Sequence, residues 1–148
     1  MASKWETVKG VRKRELERTQ ARAGRNRQQR QEAVDSLNQI LQYIGEYREQ
    51  MERAEQDGVP VSSLSRLRRF LQQLVQASAA QEQLLIQLSV RVQEDQASLM
   101  RCRADLKAVE KLQDNEIASQ KRELARRESR DSDELARRRF LADLRAQG

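Results

Sequence analysis

From Leu64 onward, apolar residues return in alternating steps of three and four: Leu64, Leu67, Leu71, Leu74, Ser78, Gln81, Leu85, Leu88, Val92, Asp95, Leu99, Cys102, Leu106 and Val109. Only Ser78, Gln81 and Asp95 in that series are polar. A stripe kept on this period for so long packs one helix along its length against another. Upstream lies a shorter stripe: Ala33, Leu37, Ile40, Ile44, Tyr47, Met51 and Ala54. Between them stands "QDGVPVSS", holding the chain's only proline, Pro60, two residues after Gly58. Glycine takes the left-handed conformation that closes a helix, and proline cannot continue one. Ser62 or Ser63 then offers a side-chain oxygen to cap the second helix. So short a connection folds the two helices back on each other, antiparallel.

In an antiparallel pair the position numbers within one packing layer have a constant sum. A sum of about 118 sets Met51 beside Leu67, Tyr47 beside Leu71, Ile44 beside Leu74 and Ala33 beside Leu85. The expected fold is all-α, a long two-helix antiparallel coiled-coil hairpin. It forms a single coiled-coil domain over residues 1–148, with helix 1 at about 4–56, a turn at 57–61 and helix 2 at about 62–145. Trp5 would face Gln113, so the end of helix 2 is left unpaired for about 35 residues, or roughly 50 Å at 1.5 Å per residue. Toward its start the first stripe becomes polar, reading Arg30, Asn26, Ala23, Thr19, Leu16, Arg12 and Lys9. Trp5, Val8 and Val11 suggest a locally shifted face there.

Composition narrows the chemistry. Charged residues make up 35% and aromatics only 3%, the balance of a long helix rather than a globular core. With no histidine and one cysteine, no zinc site, disulfide framework or His-based catalytic pair can be assembled. The expectation is a non-enzyme without cofactor or metal, in which Cys102 fills a place in the seam. Apolar runs as short as Leu84-Leu85-Ile86 do not span a bilayer, and "MASKWETVKGVRKREL" lacks the apolar core of a secretory signal. A cytoplasmic location is expected, which suits a lone thiol. Residues 1–30 carry ten Lys/Arg against three Glu, a net of +7, and the last 34 residues carry dense mixed charge. Such ends can meet an acidic protein surface, a membrane or nucleic acid, or stand as solvated helical faces.

The aromatics cluster around the break. With Leu64 at heptad position a, Phe70, Ala77 and Leu84 fall at g, and Tyr43 takes g in the first arm. Antiparallel coiled coils set g beside g, so these residues line one edge, with Ile40, Tyr47 and Leu74 at its margin. A partly exposed aromatic edge is a contact site for a partner, or else a local widening of the core.

The segments "ILQYIGEYREQM", Gly58, "RLRRFLQQLVQASAAQEQ" and "AVEKLQ" together resemble the FliJ family of the bacterial flagellar type III export apparatus. The resemblance covers about Ala33 to Gln113, through Tyr43, Glu46, Tyr47, Gly58, Phe70, Leu71, Leu74, Gln81 and Leu112. It implies a hairpin similar to the rotor stalk of rotary ATPases. It also implies a component of flagellum biogenesis and motility, peripherally associated with the inner-membrane export complex. The implied partners are the hexameric export ATPase, the cytoplasmic domain of the export gate and export chaperones. Carried over by position, the gate-binding patch comprises Ile40, Tyr43, Tyr47, Phe70, Leu74 and Ala77. The basic end would face the ATPase, with Arg12, Lys13, Arg14 and Arg18 as candidate contacts.

Other readings compete. The stalk of virulence type III secretion is equally similar in shape. A structural coiled-coil spacer needs only the seam. A basic stretch from Lys9 to Arg30 ahead of a heptad seam suggests a basic-zipper nucleic-acid binder. Against it, "GRNRQQRQEA" lacks the expected Asn-to-Arg spacing and Gly58/Pro60 interrupts a parallel zipper, so no nucleic-acid partner is expected.

Overall fold

A computed structural model describes residues 4–148. It is all-α: helix α1 spans Lys4–Gln56, helix α2 spans Val61–Gln147, and the two pack against each other. None of the described helices is long and apolar enough to cross a membrane.

The break is built by backbone geometry. Gly58 has φ of +72°, the left-handed value that side chains resist. This turn lets the Val59 N–H donate back to the Ala54 carbonyl at 3.1 Å, while Asp57 N–H reaches Arg53 O at 2.9 Å. Carbonyls orphaned by the end of α1 are thereby satisfied. The serine cap expected for α2 is not formed. The Pro60 carbonyl accepts from the Ser63 and Leu64 N–H groups at 3.0 and 3.2 Å, so Pro60 is the N-cap residue and both serines fall inside the first turn of α2. Proline suits that place because its missing N–H has no helical partner to lose.

Two compact units divide the chain. The first to be described is Glu15–Cys102, which contains the turn. Its seam matches the period read from the sequence: Ile44, Leu88, Ser78 and Asp95 are buried, and Leu64, Leu67, Leu71, Leu74, Leu85, Val92 and Leu99 are half-buried. Contacts between the arms include the Tyr47 and Phe70 rings, Gln81 Nε2 to Ala33 O at 3.3 Å, and Arg30 Nε to Ser89 Oγ at 3.0 Å. Their position numbers cluster near the sum of about 118 that the heptads require. No large side chain among the described residues is completely enclosed. A two-helix seam always leaves solvent on both flanks, so its stability comes from length rather than depth.

Small and polar residues fill the seam farther from the turn. Ala23, Ala33 and Thr19 are buried. Asp95, 5% exposed, accepts from Arg22 Nε at 3.0 Å and Asn26 Nδ2 at 2.6 Å, both from the other helix. Thr19 Oγ1 lies 3.6 Å from Cys102 Sγ and donates to Glu15 O at 2.8 Å.

The second unit comprises residues up to Arg14 together with Arg103–Gly148. Here Val109 is buried and Leu106 half-buried, and Arg12 pairs with Asp105 at 3.6 Å. The shifted face expected from Trp5, Val8 and Val11 is absent. Lys9 and Arg12 stay half-buried on the original stripe, whereas Val8 and Val11 are exposed. The helix keeps its period, since the long aliphatic stems of lysine and arginine can cover apolar surface at a seam position. Trp5 is half-buried on that same stripe, with the Lys4 ammonium 5.1 Å from its ring centre. Every residue from Ile117 onward is exposed.

Candidate partner-binding site

The aromatic edge lies within the Glu15–Cys102 unit, about three to five helical turns from Gly58. Ile40 and Tyr47 of α1 and Leu74 of α2 are half-buried, forming its floor at the seam margin. Phe70 leans on Tyr47, ring centres 4.7 Å apart at 57°, a tilted pairing suited to the opposed charge of ring face and edge. Phe70 nonetheless keeps 42% of its surface exposed, as does Tyr43. Gln39 Nε2 donates to the Tyr43 hydroxyl at 3.0 Å from one turn away, which holds that ring along the helix. Ala77 is exposed and adds no bulk, so the edge flattens beyond Phe70.

The same edge continues to a groove of about 310 Å³ bordered by Ser36, Ala33, Gln81, Leu84 and Leu88. Leu84 is 43% exposed there, as its g position implies. Sequence reasoning passed over Leu41 and Val75, which are 46% and 41% exposed at e positions. The heptad arithmetic that selects g selects e equally well, so the signal was present.

The four basic candidates have different surroundings. Arg12 is half-buried and engaged with Asp105. Lys13 and Arg14 are exposed beside it. Arg18, in the other unit, is exposed and borders a shallow groove with Glu15, Thr19, Arg22 and Cys102. Cys102 is half-buried beside the Thr19 hydroxyl. Among the described residues no group of three or more His, Cys, Asp or Glu is placed to hold a metal ion.

The family model described as "Flagellar FliJ protein" matches residues 1–145. No curated protein and no solved structure matches the chain. The family match takes in both helices, the turn and the aromatic edge, so the chain belongs to the FliJ family and is a component of the flagellar protein export apparatus.

Proposed function

We propose that this protein is a stalk that links the hexameric export ATPase to the export gate and assists delivery of chaperones and their substrates. In this reading it works on the cytoplasmic side of the inner membrane, held there through the export complex. The observation that carries the proposal is the aromatic edge. Tyr43 and Phe70 stand outside the seam, each 42% exposed, and Tyr47 braces Phe70 from the other arm. Aromatic anchors half-open to solvent on a rigid support are typical of residues that dominate binding energy. Ile40, Leu74 and Ala77 would complete the gate contact. Lys13, Arg14 and Arg18 offer exposed positive charge toward the ATPase, and Arg12 would have to leave Asp105 to join them.

The test is a pull-down of the full chain with its own export ATPase and the gate's cytoplasmic domain. Tyr43→Ala/Phe70→Ala should lose about 2 kcal/mol or more of gate binding, roughly 30-fold, and keep ATPase binding. Its melting temperature should fall less than that of a Leu88→Ala protein. Collapse of folding and both interactions together would make the aromatics core, and the contact reading would be wrong. Wild-type binding to neither partner would leave a structural spacer.

A further inference from the structure

Past Val109 the seam positions, continued in steps of three and four, read Gln113, Glu116, Gln120, Glu123, Arg127, Arg130, Glu134 and Arg137 before they reach Leu141 and Leu144. Between Val109 and Leu141 a zipper partner would find nothing apolar to grip along that line, and two leucines in the last turns are too few to hold a heptad seam. Yet the last turns of α2 are not simply charged. Phe140 is 63% exposed, Leu144 51% and Leu141 42%, and Phe140 thus shows more surface than Phe70. Spaced by one, three and four residues, these three share one short face of the helix. Arg137 sits one turn before Phe140 on that face, and Arg138 and Arg145 lie one turn to either side of Leu141. Residues 135–148 contain Arg137, Arg138, Arg139 and Arg145 against a single acid, Asp143. Among the described residues, Arg138 alone of these four forms an ion pair, with Glu134 at 3.2 Å, and both groups are exposed.

We propose that the last three turns of α2 bind the surface of an anionic phospholipid bilayer. Phe140, Leu141 and Leu144 enter the boundary between headgroups and acyl chains, and the four arginines meet lipid phosphates. The features fit because a bilayer needs no heptad register, only a short apolar face bordered by cations. Guanidinium groups pair with phosphate through two parallel hydrogen bonds, and the stem of Arg137 can run along the apolar face while its head stays at the phosphate level. An acidic protein surface would account for the arginines but not for a phenylalanine and two leucines left open to water among them. This contact is independent of the gate-binding reading and uses none of its residues.

The experiment is co-sedimentation of the full chain with vesicles of phosphatidylcholine alone and with about a quarter phosphatidylglycerol. The expected result is partition onto the anionic vesicles only, weakened by salt. Phe140→Ala/Leu144→Ala should lower it about tenfold or more without loss of helix content. In a Trp5→Phe background, Phe140→Trp should show a blue-shifted emission with anionic vesicles. Equal binding to both vesicle types overturns the proposal. So does undiminished binding of the Phe140→Ala/Leu144→Ala protein, which would assign lipid attraction to basic residues elsewhere. Absence of vesicle binding, with the same variant losing the export ATPase, gives this face to a protein partner instead.

Discussion

Asp95 is a carboxylate in the middle of an apolar stripe, and its two donors, Arg22 and Asn26, come from the opposite helix. Such a cluster adds little net stability, because desolvating the carboxylate offsets much of what its bonds return. Its effect is on register: a slip by one heptad would set Asp95 against Gln29 and Ala33, or against Glu15 and Thr19, and so leave the carboxylate without its cation, at a cost above the roughly 1–3 kcal/mol of an unsatisfied neutral group. Two outcomes follow. Arg22→Ala alone should destabilise by about 1–3 kcal/mol, since Asp95 stays buried with only Asn26. Asn26→Leu/Asp95→Leu should be neutral or more stable, yet less uniquely paired. The pairing can be read one turn away. Thr19 Oγ1 is 3.6 Å from Cys102 Sγ, so Thr19→Cys should form a disulfide with the native cysteine within one chain. Mass spectrometry should find it intramolecular and nearly complete in the otherwise wild-type protein. In the Leu/Leu background the yield should drop and intermolecular bonds appear. An unchanged yield there would show that the seam fixes register without the polar cluster.

At the level of the helices, glycine separates conformational from packing effects. A Cβ on Gly24, Gly45 or Gly58 would meet nothing within 4 Å, so no packed neighbour opposes a side chain at any of them. Gly24→Ala and Gly45→Ala lie inside α1 and should each stabilise by about 0.5–1 kcal/mol. Gly58→Ala must hold φ near +72° and should destabilise by about 1–2 kcal/mol. Thermal or urea unfolding of the three variants checks the opposite signs. Packing dominates at Leu88, 5% exposed, where truncation to alanine should cost about 2–4 kcal/mol. The stripe from Leu64 to Val109 was legible because a 3.5-residue period has one structural meaning. The start of α1 was not: Val8 and Val11 looked like seam, but moving the seam onto them would break a continuous helix to gain two small contacts. Ser62 and Ser63 misled for a different reason, since proline already supplied the first carbonyl. At the candidate site the heptad gave Tyr43 and Phe70 their flanking positions, but that Phe70 leans on Tyr47 depends on rotamers that no period encodes. The Asp95 cluster was hidden too, because a polar letter in a seam does not name its donors.

For the molecule as a whole, burial divides α2 into a supported part and an unsupported one. Val109 is its last buried residue, Gln113 and Glu116 are half-buried, and nothing from Ile117 to Gly148 is covered. The supported part draws its stability from the seam. The remainder must rely on helix propensity and pairs one turn apart, such as Glu123 with Arg127 and Glu134 with Arg138, each 3.2 to 3.6 Å apart. Exposed pairs of this kind contribute about 0.3–0.5 kcal/mol, and salt weakens them. Isolated helical segments of such composition are marginal in water, so this end of α2 should open locally far more often than the seam unfolds. Hydrogen exchange should show amides after Ala118 exchanging orders of magnitude faster than those between Leu71 and Val109. A chain ending at Ala118 should melt within about 2 °C of the full-length protein, because no burial is lost with the removed residues. Adding salt should reduce the helix signal of the full chain and leave the melting temperature of the shortened one nearly unchanged. Protection beyond Ala118 equal to that of the seam, growing with protein concentration, would instead mean that a second copy covers this segment. The truncated chain would then melt measurably lower than the full-length protein.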